Sequence, residues 1–333
     1  MRTVFVCLLL FGCSESPTSE ASSQDAGSDA ALDAAGDAQF DATSDARADA
    51  AQDAASDARV DAEPSGVHAG QVTTWLKDSG AGDDLTWHPD GYLIASDPNG
   101  SGLTANGKSL LRINLDGSVS VLSDQLRKPL GNALAPDGTI YACEWADPNG
   151  SIFKVAPSGV VTEIPNVSCS NLVVRADGAL WVSAWSTNQV LEVREGQAPV
   201  EVASLNGPVA MEYDSDGQVI VGSANTGEVW HLNDLGETTL LGQVQETGSI
   251  RVADVTPAYG GIYATSFNGQ HIWRITGGQA TVFAGTGARG TDDGPGSSAT
   301  FNQPNGIAAS PDGRTLYVQQ FGGALRVIPI LGD

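Results

Sequence analysis

Leu85-Thr86-Trp87-His88-Pro89-Asp90-Gly91-Tyr92 joins two runs of apolar, β-branched and aromatic residues through a Pro-Asp-Gly turn. Asp-Gly supplies the positive φ that a tight strand-to-strand connection needs, so the stretch reads as a hairpin. It returns as Ala133-Leu134-Ala135-Pro136-Asp137-Gly138-Thr139-Ile140-Tyr141. Further copies lie at 173–181 around Asp177-Gly178, at 211–220 around Asp216-Gly217, and at 307–317 around Pro311-Asp312-Gly313. A degraded copy at 254–263 has Gly260-Gly261 in place of Asp-Gly. Consecutive turns are 39 to 52 residues apart, room for four short strands per unit.

Each unit continues with two more strand-like runs, such as 109–114 with 118–122 and 271–275 with 280–284. The loops 97–101 and 147–151 share Asp-Pro-Asn-Gly-Ser, which fits a type I hairpin turn. The last unit stops after its third strand at 325–328, and an orphan strand at 72–76 precedes the first. Supplying the missing outer strand from the N-terminus closes a ring and leaves no open edge. The fold class is therefore all-β, a six-bladed β-propeller over residues 66–333 whose N-terminal strand completes the last blade.

The C-terminal third resembles NHL-repeat propellers, through His271-Ile272-Trp273-Arg274-Ile275, Phe283-Ala284-Gly285-Thr286-Gly287, Asp293-Gly294 and Phe301-Asn302-Gln303-Pro304-Asn305-Gly306-Ile307. Residues 304–317 also resemble the gluconolactonase and senescence-marker (regucalcin-like) family, with Pro-Asn-Gly, Ser-Pro-Asp-Gly and Leu-Tyr in order. The second resemblance implies metal-dependent lactone hydrolysis. One divalent cation, Ca²⁺ or Zn²⁺, would sit in the central channel, polarise the lactone carbonyl and support attack by water. Seven residues before each turn Asp lie Asp83, Leu130, Ser170, Val209 and Asn305, with Val252 as the counterpart in the degraded unit. Asn305 matches the family's Asn, and Asp83 or Asp84 stands in for its first-blade Glu. Asn171 lies nearby, and the metal candidates are Asp83, Asp84, Asn171 and Asn305. Val209 in Pro208-Val209-Ala210 replaces an acidic ligand of the family, and apolar positions make a poor site for a hard cation.

A second function class is recognition without chemistry. The second strands end on the face where the innermost strands begin, and there the sequence reads Asp97, Glu144, Trp145, Trp185, Asn225, Phe267 and Phe321. Rings that cover apolar faces, interleaved with acids and amides, suit a small molecule, a glycan or a peptide; the alternative is that they pack between blades. Cys143 and Cys169 fall on this same face in neighbouring blades, placed either to form a disulfide or to stand as two buried thiols. His68, His88, His231 and His271 share no metal-ligand spacing and read as structural, so a propeller lyase lacks its histidine. Gly285-Thr286-Gly287-Ala288-Arg289-Gly290 matches a dinucleotide fingerprint in letters. The Asp-, Gly- and Pro-rich residues after it cannot open the helix that a pyrophosphate needs.

Ahead of the propeller the chain changes character. Arg2, the apolar run 4–11 and Leu10-Phe11-Gly12-Cys13 resemble a bacterial lipoprotein signal, with residues 1–12 removed and Cys13 acylated. Ser14 after that Cys points to the outer membrane, so the expected location is the cell envelope. Residues 13–65 are an Asp-Ala-rich tether in which Asp-Ala recurs every fourth residue from Asp25 to Asp61. Like charges at i,i+4 oppose a helix, and too few apolar side chains offset chain entropy. A disordered coil of this length reaches roughly 40 Å. A net charge of −24 argues against nucleic acid as a partner. The expected contacts are the membrane through the lipid and a ligand at the channel mouth, with the chain a monomer.

Overall fold

The computed structural model describes residues 66–98, 107–146 and 150–332. The signal, Cys13 and the tether lie outside them, as do parts of the two Asp-Pro-Asn-Gly-Ser loops. Six antiparallel sheets follow one another along the chain. Blade 1 is Leu85–His88, Tyr92–Asp97, Ser109–Asn114 and Val119–Ser123. Blade 2 runs from Pro129–Leu134 to Val161–Pro165, blade 3 from Asn171–Val174 to Val200–Ser204, and blade 4 from Pro208–Tyr213 to Thr238–Gln243. Blade 5 runs from Asp254–Ala258 to Gln279–Ala284. Blade 6 contains Pro304–Ala309, Thr315–Gln320 and Leu325–Leu331, and its outer strand is Gln71–Leu76. The orphan strand thus completes the last blade, with Thr73 opposite Val327. Each innermost strand touches the next, the last meets the first, and the ring is shut.

Six apolar clusters hold the ring, one at each junction between adjacent blades. Ile94, Leu110, Ala142 and Phe153 join blades 1 and 2, while Tyr263, Ile272, Phe301 and Leu316 join blades 5 and 6. Alternation along each strand sends one set of side chains into the junction before it and the other into the junction after it. Truncating a fully buried member such as Leu111 should cost about 2–5 kcal/mol. The Asp-Gly turns cap one face of the ring, with Gly91, Gly138, Gly178 and Gly217 at φ between 77° and 83°. The opposite face, where the innermost strands start and the second strands end, is the entrance face.

Candidate functional site

Non-glycine residues with left-handed backbone concentrate on the entrance face. Among the described residues there are five, Lys128, Asn166, Asn188, Gln270 and Gln303, with φ between 42° and 62°. Lys128 and Gln303 precede innermost strands, Asn166 follows an outer strand, and Asn188 and Gln270 link second to third strands. All five connections belong to the entrance face. Such conformations cost on the order of 1–3 kcal/mol each and persist where the surroundings dictate them, commonly at sites of function. On the Asp-Gly face the equivalent positions are glycines, which adopt them without strain.

The channel is lined by an alternation. In blades 1, 3 and 5 the innermost strand carries Asp84, Asn171 and Asp254 at one level; in blades 2, 4 and 6 that level holds Gly131, Ala210 and Gly306. The even blades each open on a proline, Pro129, Pro208 or Pro304, and each shifts register immediately after it, whereas the odd blades do not. The shift presses backbone against the next blade. A Cβ on Gly131 would lie 2.4 Å from Asn171 Cα, and one on Gly306 would lie 2.3 Å from the Asp83 carbonyl oxygen. Each odd-blade side chain caps the amide of its successor: Asp84 Oδ1 accepts from Leu85 N at 2.9 Å, Asn171 Oδ1 from Leu172 N at 2.7 Å, and Asp254 Oδ1 from Val255 N at 2.9 Å. The second carboxylate oxygens stitch blades together, with Asn132 N donating to Asp84 Oδ2 at 2.7 Å and Ile307 N to Asp254 Oδ2 at 2.8 Å.

Four carboxyls at or beside the innermost strands, Asp84 and Asp254 buried and Asp83 and Glu212 partly so, have no basic partner among the described residues. Burial, and after it the charge of Asp84, pushes Asp83 up to about 7, against the hydrogen bond from Asn305. Burial pushes Asp84 up to about 6, although the amide of Asn132 and a hydrogen bond with Asp254 favour its charged form. Glu212, in the innermost strand of blade 4, is pushed up to about 7 by burial and by Asp84. Asp254 is raised well above the usual carboxylate range, by burial first and then by Asp84. Asp84 and Asp254 act on each other carboxyl to carboxyl, and after burial it is the charge of Asp84 that raises Asp254. Neither Asp254 nor Glu212 is among the candidates the sequence singles out, and Glu212 is a charged residue inside an otherwise apolar strand.

The four metal candidates are all engaged with protein groups. Asn305 Nδ2 donates to Asp83 Oδ2 at 2.9 Å and to the Gly82 carbonyl at 3.1 Å, while Asp84 and Asn171 are engaged by backbone amides. Asn171 belongs to blade 3, and it is Asn132 and Asp254, not Asn171, that Asp84 meets. Among the described residues no three His, Cys, Asp or Glu side chains are grouped to hold a metal ion. The donor set therefore does not fit the divalent cation that the lactonase resemblance implies. The counterpart of Asp83 in blade 5 is Ala253 rather than Val252, because Asp254 pairs with Thr265 as Asp84 does with Ser96.

The rim residues separate into three kinds. Asp97 is fully buried and pairs with Ser109 across its hairpin, so it is no surface contact. Glu144 is held by Arg127 through both carboxylate oxygens at 2.7 and 3.0 Å, and Arg127 also grips Glu163 at 2.7 Å. The rest face outward at least in part. Trp145 lies under the Lys128 ammonium, 5.1 Å from the ring centre, and Trp185 Nε1 donates to Asn225 Oδ1 at 3.2 Å. Phe267 and Phe321 meet edge to face at 6.1 Å, with Phe321 exposed. Cys143 and Cys169 are joined as a disulfide between blades 2 and 3, with Cα atoms 5.2 Å apart. His271 departs from expectation, since it begins a third strand on the entrance face. Its Nδ1 is 2.5 Å from Glu246 Oε1, to which Trp273 Nε1 also donates.

The six-bladed fold recurs in solved structures of low identity. A gluconolactonase from Xanthomonas campestris superimposes with a TM-score of 0.59 at 15% identity, covering 78% of this chain and 89% of its own. An auxiliary nutrient binding protein from Bacteroides ovatus gives 0.61 at 13%, covering 79% and 77%. A streptogramin B lyase gives 0.57 at 15%, covering 80% and 98%. This chain shares their fold. No family model and no curated protein matches the sequence. Hydrolase, lyase and binding protein stand side by side among these neighbours, so likeness of fold leaves the function to the site.

Proposed function

We propose that the propeller is a binding module of the cell envelope, held through a lipid on Cys13, that takes a small ligand at the channel mouth. The observation that carries this reading is the group Asp83, Asp84, Glu212 and Asp254, the second and fourth buried and the other two partly so, without a basic partner among the described residues. Buried carboxyls left so are costly, and a ligand that brings hydroxyl donors or a cation offsets that cost. The aromatic rings of Trp145, Trp185, Phe267 and Phe321 stand around the same face. Lactone hydrolysis is the weaker reading, because Val209 and the engaged amides leave no converging donor set. The test is a titration of the purified chain with neutral, hydroxylated and cationic ring compounds, read by tryptophan fluorescence. Saturable binding that falls at least tenfold in Asp83→Asn supports the proposal. Binding indifferent to Asp83, or none by any member, refutes it.

A further inference from the structure

One guanidinium on the entrance face is held by neutral groups alone. Arg289 is exposed, and among the described residues it has no acidic partner. Its Nε donates to Asn302 Oδ1 at 2.5 Å and its Nη2 to Gln303 Oε1 at 2.8 Å. Two amide oxygens thus occupy the side edge of the guanidinium and leave its charge uncancelled. The end fork, Nη1 with Nη2, stays available, and that is the pair of N–H groups that matches a carboxylate.

The same two amide residues also position an aromatic ring. Asn302 Nδ2 donates to the Phe321 carbonyl at 2.8 Å, and Phe321 N donates to the Gln303 carbonyl at 3.0 Å. Behind them are two buried glutamines. Gln320 Oε1 accepts from Asn302 N at 2.7 Å, and Gln270 Oε1 accepts from Gln303 N at 2.6 Å. Gln270 in turn donates from Nε2 to the Phe267 carbonyl at 3.0 Å, fixing the ring that packs against Phe321. Gln270 and Gln303 are two of the five strained non-glycine residues, at φ 59° and 51°. Gln320 Nε2 is buried with no partner, an uncompensated donor directly behind Asn302. Strain and an unpaired buried donor together hold one cation and one ring in place, an expense that packing alone does not explain.

We infer that Arg289 and Phe321 form a subsite for a ring-bearing carboxylate, the anion on the guanidinium fork and the ring against Phe321. The inference deepens the binding reading above and rests on it for the identity of the mouth. Gln303 lies two residues before Asn305, the residue that holds Asp83, so one short segment bears a cation on one side and a carboxyl on the other. The ligand is accordingly bipolar: an acid on a ring at blades 5 and 6, with hydroxyls or a cationic group reaching the channel.

The experiment is ¹⁹F NMR titration of the full chain with 4-fluorobenzoate and, separately, with 4-fluorobenzylamine, which carries the opposite charge on the same ring. Fluorobenzoate should bind saturably and weaken at least tenfold in Arg289→Gln and severalfold in Phe321→Ala, with unchanged melting curves in both variants. Fluorobenzylamine should ignore Arg289→Gln and weaken in Asp83→Asn. Fluorobenzoate that fails to bind, or binds equally to Arg289→Gln, overturns the subsite. If fluorobenzylamine still depends on Asp83 in that case, the mouth reading survives alone. Fluorobenzoate that depends on Arg289 while fluorobenzylamine never binds supports the subsite and removes the cation-accepting role of the mouth.

Discussion

Asp84 in blade 1 and Asp254 in blade 5 act on each other past the blade that closes the ring, burial and then the charge of Asp84 raising Asp254 well above the usual carboxylate range. The same two residues tie down the amides of Asn132 and Ile307, so the state of the pair is felt by four of the six blades.

Stability should therefore fall as pH rises from about 4 to about 7. Asp83, Asp84 and Glu212 have folded-state pKa values raised to about 7, 6 and 7. The folded chain binds more protons than the unfolded one between the ordinary carboxylate range and these values, and each proton taken up there makes unfolding harder at lower pH. The loss should total about 1–3 kcal/mol, or roughly 3–10 °C in Tm, between pH 4.5 and pH 8. Glu212→Gln should flatten the slope. Thermal melts at constant ionic strength are the check, and a Tm that climbs over this interval would contradict the argument.

Asp254→Asn should cost about 1–3 kcal/mol at pH 8, because its Oδ1 can keep the cap on Val255 as Asn171 caps Leu172 in blade 3, while its Nδ2 cannot accept from the Ile307 amide. Asp254→Ala should cost about 2–4 kcal/mol, since it strands the amides of Val255 and Ile307 in the interior. Urea midpoints of the two variants measured side by side separate charge from hydrogen bonding.

Gly131→Ala should destabilise by more than about 2 kcal/mol, because its new methyl would meet the Asn171 backbone at 2.4 Å. Gly306→Ala faces the Asp83 carbonyl at 2.3 Å and should behave alike. Gly159→Ala has nothing within 4 Å and a φ of 83°, so its cost is conformational alone, about 1–2 kcal/mol. Equal melting temperatures for the Gly131 and Gly159 variants would show that the even-blade contact is looser than described.

Cys143→Ser with Cys169→Ser should lower stability by about 3.5 kcal/mol through the entropy returned to the unfolded chain. The bridge closes a loop across 26 residues of sequence and sits between two blades. A melt of the parent chain with and without reductant gives the same comparison without mutation.

The propeller was legible because its signals are local and repeated. Asp-Gly turns flanked by β-branched runs recur often enough to count blades, and the unpaired strand at 72–76 had only one edge to cover. The channel was less legible. Counting back from each turn assumes one register throughout, but the bulges after Pro129, Pro208 and Pro304 break it in alternate blades. Exposure was a second blind spot: Asp97 and Glu144 are adjacent to rim positions, yet one is buried and the other clasped by Arg127. Pairings such as His271 with Glu246 and Arg289 with Asn302 join residues 25 and 13 apart in separate loops, where no periodicity relates them.

The strand that shuts the ring also sets the face on which the described chain begins. Gln71–Leu76 runs toward the entrance face, and just before it Val67 packs beside Gly260 and Gly332, among the Asp-Gly turns of the far side. The chain therefore joins its preceding residues from the back of the propeller. The channel mouth and the Arg289 sector thus lie on the face away from the first described residue, and neither the closing strand nor its approach covers them.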